Sequence, residues 1–184
     1  MRSRMRSMER LVRGAIALAV VMAAAGCGYA LAGRGNALPA SIRSIGIPDF
    51  QNQSSLPDLD RALTDAVREE FVAKGRYTIL PQSQGVDGVV IGTITSVTTP
   101  PAAFTPDNQV SRYLIVVTAR VEFREVATDR VIWTNPNFKV SDEYEVSTST
   151  VASPEAILTQ DGPAKQRIAR AFARSVVTSI FEAF

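Results

Sequence analysis

Between residues 58 and 75 an apolar side chain returns at every fourth position. Leu59, Leu63, Val67 and Phe71 form one stripe, with Ala62 and Ala66 beside it, which is the spacing of a helix that buries one face. Asp58 and Asp60 fall in the first turn, where negative charge complements the helix dipole, and Gly75 stands just past Lys74 as a terminator. The stripe reads as core packing. A second stripe, Ile168, Phe172, Val176 and Ile180, predicts a helix running to the C-terminus, with Arg167, Arg170 and Arg174 on its solvated side. Ahead of it, Ser153-Pro154-Glu155 resembles a helix cap with Pro at the first position, in a short piece that Gly162-Pro163 breaks.

Between the two helices the period falls to two. Val89, Ile91, Thr93, Thr95 and Val97 alternate with Val90, Gly92 and Ile94, as on a strand with two distinct faces. In RYLIVVTARVEFREV, Tyr113, Ile115, Val117, Ala119, Val121 and Phe123 share a wholly apolar face. The opposite face passes from Leu114 and Val116 to Arg120, Glu122 and Arg124. One side of this strand should therefore be buried, and the charged end of the other solvated. Shorter strands are expected at SIRSIGIPDF and RYTIL. After a turn at Ala127–Arg130, the segment VIWTNPNFKVSDEYEV should return as a strand, kinked or bulged at Asn135-Pro136-Asn137. The run TTPPAAFTPDNQ, residues 98–109, reads as a loop because its three prolines oppose continuous pairing. Polar STSTVAS is expected to be mobile. There is no internal repeat. The resulting expectation is an α+β two-layer sandwich, two helices packed on one face of a mostly antiparallel four-stranded sheet. That arrangement leaves the other sheet face without a cover inside the chain and raises the question of a partner.

The N-terminus follows different rules. Arg2, Arg4, Arg6, Arg10 and Arg13 against Glu9 precede an apolar run from Ala15 to Ala25, far short of the roughly 20 residues needed to span a bilayer. A basic leader, a short apolar core and small residues at its end describe a secretory signal peptide over residues 1–26. Two cleavages compete. An ordinary signal peptidase would cut after Ala25 and leave an unpaired thiol. Alternatively, Ala24-Ala25-Gly26-Cys27 is a lipobox, with Ala24 where Leu is usual, and Cys27, the sole cysteine, receives lipid. A free thiol is a liability in an oxidising compartment, which favours lipidation. One acyl chain binds a membrane only marginally, whereas about three, at roughly 0.8 kcal/mol per buried methylene, hold firmly. Gly28 follows the cysteine in place of the Asp that commonly retains lipoproteins in the inner membrane, which favours the outer one. Residues 27–40 would then be a lipidated tether, and 41–184 a single domain.

Removing 26 of the 184 residues leaves 158, enough for one core. The leader carries +4 of a whole-chain net charge of +2, so the mature part is −2, and the sequence pI of 8.9 belongs largely to the leader. Without a basic excess, nucleic acid loses its electrostatic argument as a partner. The chain has no histidine. With Cys27 given to lipid, the usual general bases, thiolate nucleophiles and soft metal ligands are missing. Asp49, Asp58, Asp60 and Asp65 lack the Gly and Glu spacing of a calcium loop. The expectation is no enzyme, no catalytic or metal residues, and no cofactor beyond covalent lipid (palmitate and related acyl chains) on Cys27.

Several of these pieces in this order resemble LptE, the lipopolysaccharide-assembly lipoprotein family of the Gram-negative outer membrane. CGYALAGRGNALPASIRSIGIPDFQNQSSLPDLDRALTDAVREEF is similar to the family's opening, in which Cys-Gly-Tyr leads to a strand, a Phe-x-Asn turn and the first helix. GRYTIL, VDGVVIGTI and VIWTNPNF with Tyr144 resemble later strands. The resemblance implies an interaction function. Such proteins plug the β-barrel protein LptD from the periplasmic face, help it fold, and contact lipopolysaccharide. Arg112, Arg120, Arg124 and Lys139 are the candidate lipopolysaccharide contacts, as sheet cations able to bond phosphates. Two other classes remain: another envelope lipoprotein, such as an activator of a peptidoglycan synthase, and a carboxylate-dependent hydrolase with two converging acids.

Overall fold

The two four-residue stripes become helices α1 (Leu59–Ala73) and α2 (Gly162–Glu182). Leu59, Leu63, Val67 and Phe71 of α1 meet Ile168, Phe172, Val176 and Ile180 of α2, and all eight side chains are buried. Gly75, at φ 68°, ends α1, and its N–H donates to Val72 O at 2.9 Å. Asp58 departs from expectation: it has a left-handed backbone, φ 57°, and its side chain caps nothing. The computed structural model describes residues 38–146 and 162–183. The leader, Cys27, most of the tether, the STSTVAS run and the Ser153-Pro154-Glu155 cap lie outside the described residues.

Seven strands form one sheet: β1 (Ser44–Gly46), β2 (Gln51–Asn52), β3 (Thr78–Leu80), β4 (Gly88–Thr98), β5 (Pro101–Phe104), β6 (Val110–Glu125) and β7 (Arg130–Glu145). The expected four-stranded, mostly antiparallel sheet is therefore corrected to a seven-stranded mixed one. α1 crosses between β1 and β3, so the two strands run parallel, and β1 and β2 also pair parallel with β4. From β3 the chain must return to the start of β4 on the far side of β1. Because β3 spans only three residues, seven suffice, and this segment passes directly over Gly46. A Cβ there would overlap the Gln82 carbonyl oxygen.

The second half is a long antiparallel ribbon. β6 pairs with β7 along almost its whole length, with β4 from Val116 to Glu125, and with β5 from Val110 to Tyr113. Residues 98–109, expected as a loop, thus contain a strand. Pro101 opens it, where a missing N–H costs least, and irregular register around Ala103 absorbs the remaining misfit. A bulge between Ile94 and Ser96 inserts Thr95 and turns Val97 onto the helix-facing side opposite Val117, not the side shared by Val89 and Ile91. The predicted bulge at Asn135–Asn137 is present, where β7 skips past Arg120.

Ile115, Val117, Ala119, Val121 and Phe123 face the helices and are fully buried, as the alternation requires. Phe50 of the Phe-x-Asn turn lies on Gly92, whose added Cβ would stand 2.5–2.6 Å from the ring. Its ring meets Phe172 edge-on at 6.4 Å, Phe172 meets Phe138 at 5.6 Å, and Phe138 meets Trp133 at 6.2 Å. Asn52 completes the turn: its side-chain amide donates to Leu56 O at 2.6 Å, and its Oδ1 accepts from Ser54 N–H and Oγ–H.

Candidate functional site

With α1 and α2 on one side, the sheet's second face carries no helix among the described residues, and its side chains range from buried Thr118 to exposed Arg120. Its middle column is β6, where Arg112, Leu114, Val116, Thr118, Arg120, Glu122 and Arg124 alternate with the buried set. Cross-strand pairing adds Ser96 and Lys139 on either side of Thr118, Thr98 and Ser141 beside Val116, and Thr93 beside Arg120. One end of the face is closed, where the segment returning over Gly46 carries Val86 and buries it.

All four predicted cations occupy this face, but the structure divides them. Arg112 lies eight residues along the strand from Arg120, about 27 Å at 3.4 Å per residue. Its Nη1 donates to Glu143 Oε2 at 2.9 Å, and its Nη2 stands 3.5 Å from Glu145 Oε1. Arg124 is held more tightly. Its Nη1 donates to Asp129 Oδ1 at 2.7 Å, and its Nε and Nη2 donate to Glu122 Oε1 at 2.9 and 2.6 Å. Asp129, then Glu122, raise the guanidinium pKa above its ordinary value by favouring the charged form.

Arg120 and Lys139 are different. Both are exposed, and neither has an ion-pair partner among the described residues. Lys139 pairs across from Thr118, two residues before Arg120, so the two cations are diagonal neighbours on one face. The same face carries Thr93 across from Arg120, Thr118 across from Lys139, and Ser96 and Ser141 at neighbouring register positions. Two unpaired cations among hydroxyl donors can bind a dianionic group such as a phosphate. Alternation along β6 puts its three arginines on one face; the position of Lys139 beside them, and the carboxylates that occupy Arg112 and Arg124, depend on register.

Elsewhere, a groove of about 540 Å³ between α1 and α2 is lined by Asp58, Asp65 and Glu69 together with Arg61, Lys165 and Arg170. Arg68 draws two members of the early aspartate series together, Asp49 at 2.9 Å and Asp65 at 3.2 Å. Two other carboxylates tie the N-terminal strand to the sheet. Asp87 Oδ2 accepts from Arg43 N–H, Ser44 N–H and Ser44 Oγ–H, each at 2.9 Å. Those bonds hold its pKa below the ordinary 3.8. Glu125, nearly buried, accepts from Thr128 at 2.7 Å and Ser41 at 2.9 Å, and its pKa falls below 4.5 chiefly through those two hydroxyls.

The model of the family LptE, lipopolysaccharide-assembly, matches residues 42–180. The chain belongs to the LptE family. The match runs from two residues before β1 to the last turn of α2, so it spans both helices and the whole sheet and lies downstream of Cys27. Membership places this LptE chain in lipopolysaccharide assembly and among its transport machinery. No curated protein matches the sequence. Solved structures share its fold at low identity. CT253 from Chlamydia trachomatis matches at 9% identity and TM-score 0.51, over 76% of this chain and 96% of that one. Protein XCC0632 from Xanthomonas campestris matches at 14% and 0.50, over 79% and 89%. Rare lipoprotein B from Shewanella oneidensis is also similar, at 16% identity and TM-score 0.43, over 71% and 94%.

Proposed function

We propose that the mature chain is a lipoprotein of the outer membrane, held at its periplasmic face by lipid on Cys27. There it plugs the LptD β-barrel, assists its folding and takes part in delivering lipopolysaccharide to the cell surface. The family match carries this reading. The half-open sheet supports it, because a domain that covers one face with its own helices still has a second face to offer. The role is recognition, without a catalytic group, a metal or a nucleic-acid partner, and covalent lipid is the only added group.

On this reading Arg120 and Lys139 are the principal contacts for lipopolysaccharide phosphates. Arg112 and Arg124 take part only by giving up carboxylates they already hold. Depletion of the protein should lower lipopolysaccharide at the cell surface, and affinity purification from detergent-solubilised envelopes should bring down a large barrel. Capture of a peptidoglycan synthase in place of a barrel would end the proposal. Arg120→Glu with Lys139→Glu should weaken lipopolysaccharide binding by about tenfold or more, each charge-assisted bond being worth on the order of 1.4 kcal/mol or above. Unchanged binding would remove these two residues from the contact.

A further inference from the structure

Residues 98–110, Thr-Thr-Pro-Pro-Ala-Ala-Phe-Thr-Pro-Asp-Asn-Gln-Val, contain a single charge, Asp107. They form the end of the long ribbon, beyond Ile115, the first fully buried residue of β6. Phe104 is 57% exposed there, and Pro100, Pro101, Ala102 and Pro106 are exposed around it. The tip is nevertheless ordered by its own bonds. Thr105 N–H donates to Gln109 O at 2.7 Å, and Asn108 N–H to Thr105 O at 2.9 Å. Gln109 N–H donates to Thr105 Oγ1 at 3.2 Å, while Asn108 takes the left-handed turn position, φ 59°. An aromatic ring held in water on a stiff turn contributes nothing to this core. It gives up little conformational freedom when another molecule covers it, which is the property of a binding anchor.

Charge decides what covers it. Asp107, Glu143 and Glu145 stand at this end against Arg112, a net −2; Asp142 is answered by Arg167. Tips that enter anionic membranes carry Lys or Arg beside their aromatics, and lipopolysaccharide phosphates would be repelled here. A protein pocket with an apolar floor and a basic rim is the complementary surface. We infer that Phe104 and its flanking prolines form an anchor that seats in such a socket on the barrel partner. The inference rests on the plug reading above and adds the point of engagement.

The test uses the full chain in cells depleted of the native copy, with a photo-crosslinking benzoylphenylalanine at position 104 and, as control, at exposed Val72 on α1. A covalent adduct between position 104 and the barrel, without one from position 72, is expected. Phe104→Ser should cut barrel recovery at least about tenfold, the scale of an interface hot spot, and Asp107→Lys should cut it several-fold. Both should leave the thermal unfolding midpoint of the purified protein unchanged, since neither residue is buried. If the unaltered chain recovers the barrel but position 104 reacts with lipid or with nothing, the anchor is refuted and the plug reading stands. If the unaltered chain recovers no barrel, both fall.

Discussion

Gly92 has no side chain because Phe50 occupies the space. A Cβ would stand 2.5–2.6 Å from three ring atoms, and Phe50 begins the edge-to-face series through Phe172 and Phe138 to Trp133. Gly92→Ala should therefore displace the ring and cost about 1–3 kcal/mol, the usual scale of overpacking. Denaturant unfolding would show a lower midpoint with little change in slope. The acid response is also a matter of single residues. Asp87 and Glu125 both have folded-state pKa values below their ordinary ones. Their stabilisation is complete above pH 5 and is lost as pH falls through 4.5 and 3.8 and on through the lower folded values. Urea midpoints measured between pH 6 and 3 should drop over that window. Asp87→Asn should flatten part of the drop while lowering the midpoint at neutral pH.

Among elements, the helices and the long strands were legible because their periods are local. The stripe of four-residue spacing on α1, and the odd-numbered face of β6 from Ile115 to Phe123, are buried as expected, while Tyr113 at the start of that face is only half-buried. What escaped depends on neighbours distant in sequence. β5 was hidden by its prolines, since only pairing with β6 shows that Pro101 sits at a permitted position. Thr95 gave no sign of its bulge, so Val97 was assigned to the wrong face. The candidate site divides in the same way: alternation along β6 puts Arg112, Arg120 and Arg124 on one face, whereas the placement of Lys139 beside them, and the pairing of Arg112 and Arg124 with Glu143, Glu145, Glu122 and Asp129, depend on register. Gly46 illustrates a constraint that belongs to an element junction. The obstacle to a side chain there is the backbone carbonyl of Gln82, which yields less readily than a ring. Gly46→Ala should thus loosen the parallel half selectively. Amide exchange of Thr78 and Ile47, which donate to Arg43 O and Leu80 O, should accelerate more than exchange along β6.

At the scale of the whole molecule, Leu38 is buried and its N–H donates to the Tyr77 hydroxyl at 3.2 Å. It lies eleven positions along the chain from Cys27, a reach of at most about 40 Å at 3.3–3.6 Å per residue. A lipid on Cys27 would therefore keep Leu38 within about 40 Å of the membrane. Cys27→Ser should shift the protein from the membrane to the soluble envelope fraction, and mass spectrometry of the wild-type mature terminus should find an acylated cysteine at position 27. A terminus beginning elsewhere would remove the anchor.

The outer border of β7 has no strand beside it among the described residues, although it is sixteen residues long. Such a border invites copies of the same chain to stack end over end into fibres. Pro136 withholds a donor midway along it, and Arg130, Lys139, Asp142, Glu143 and Glu145 leave no uncharged stretch long enough to zip beyond the bulge. A newly folded copy can thus stand among its siblings without polymerising.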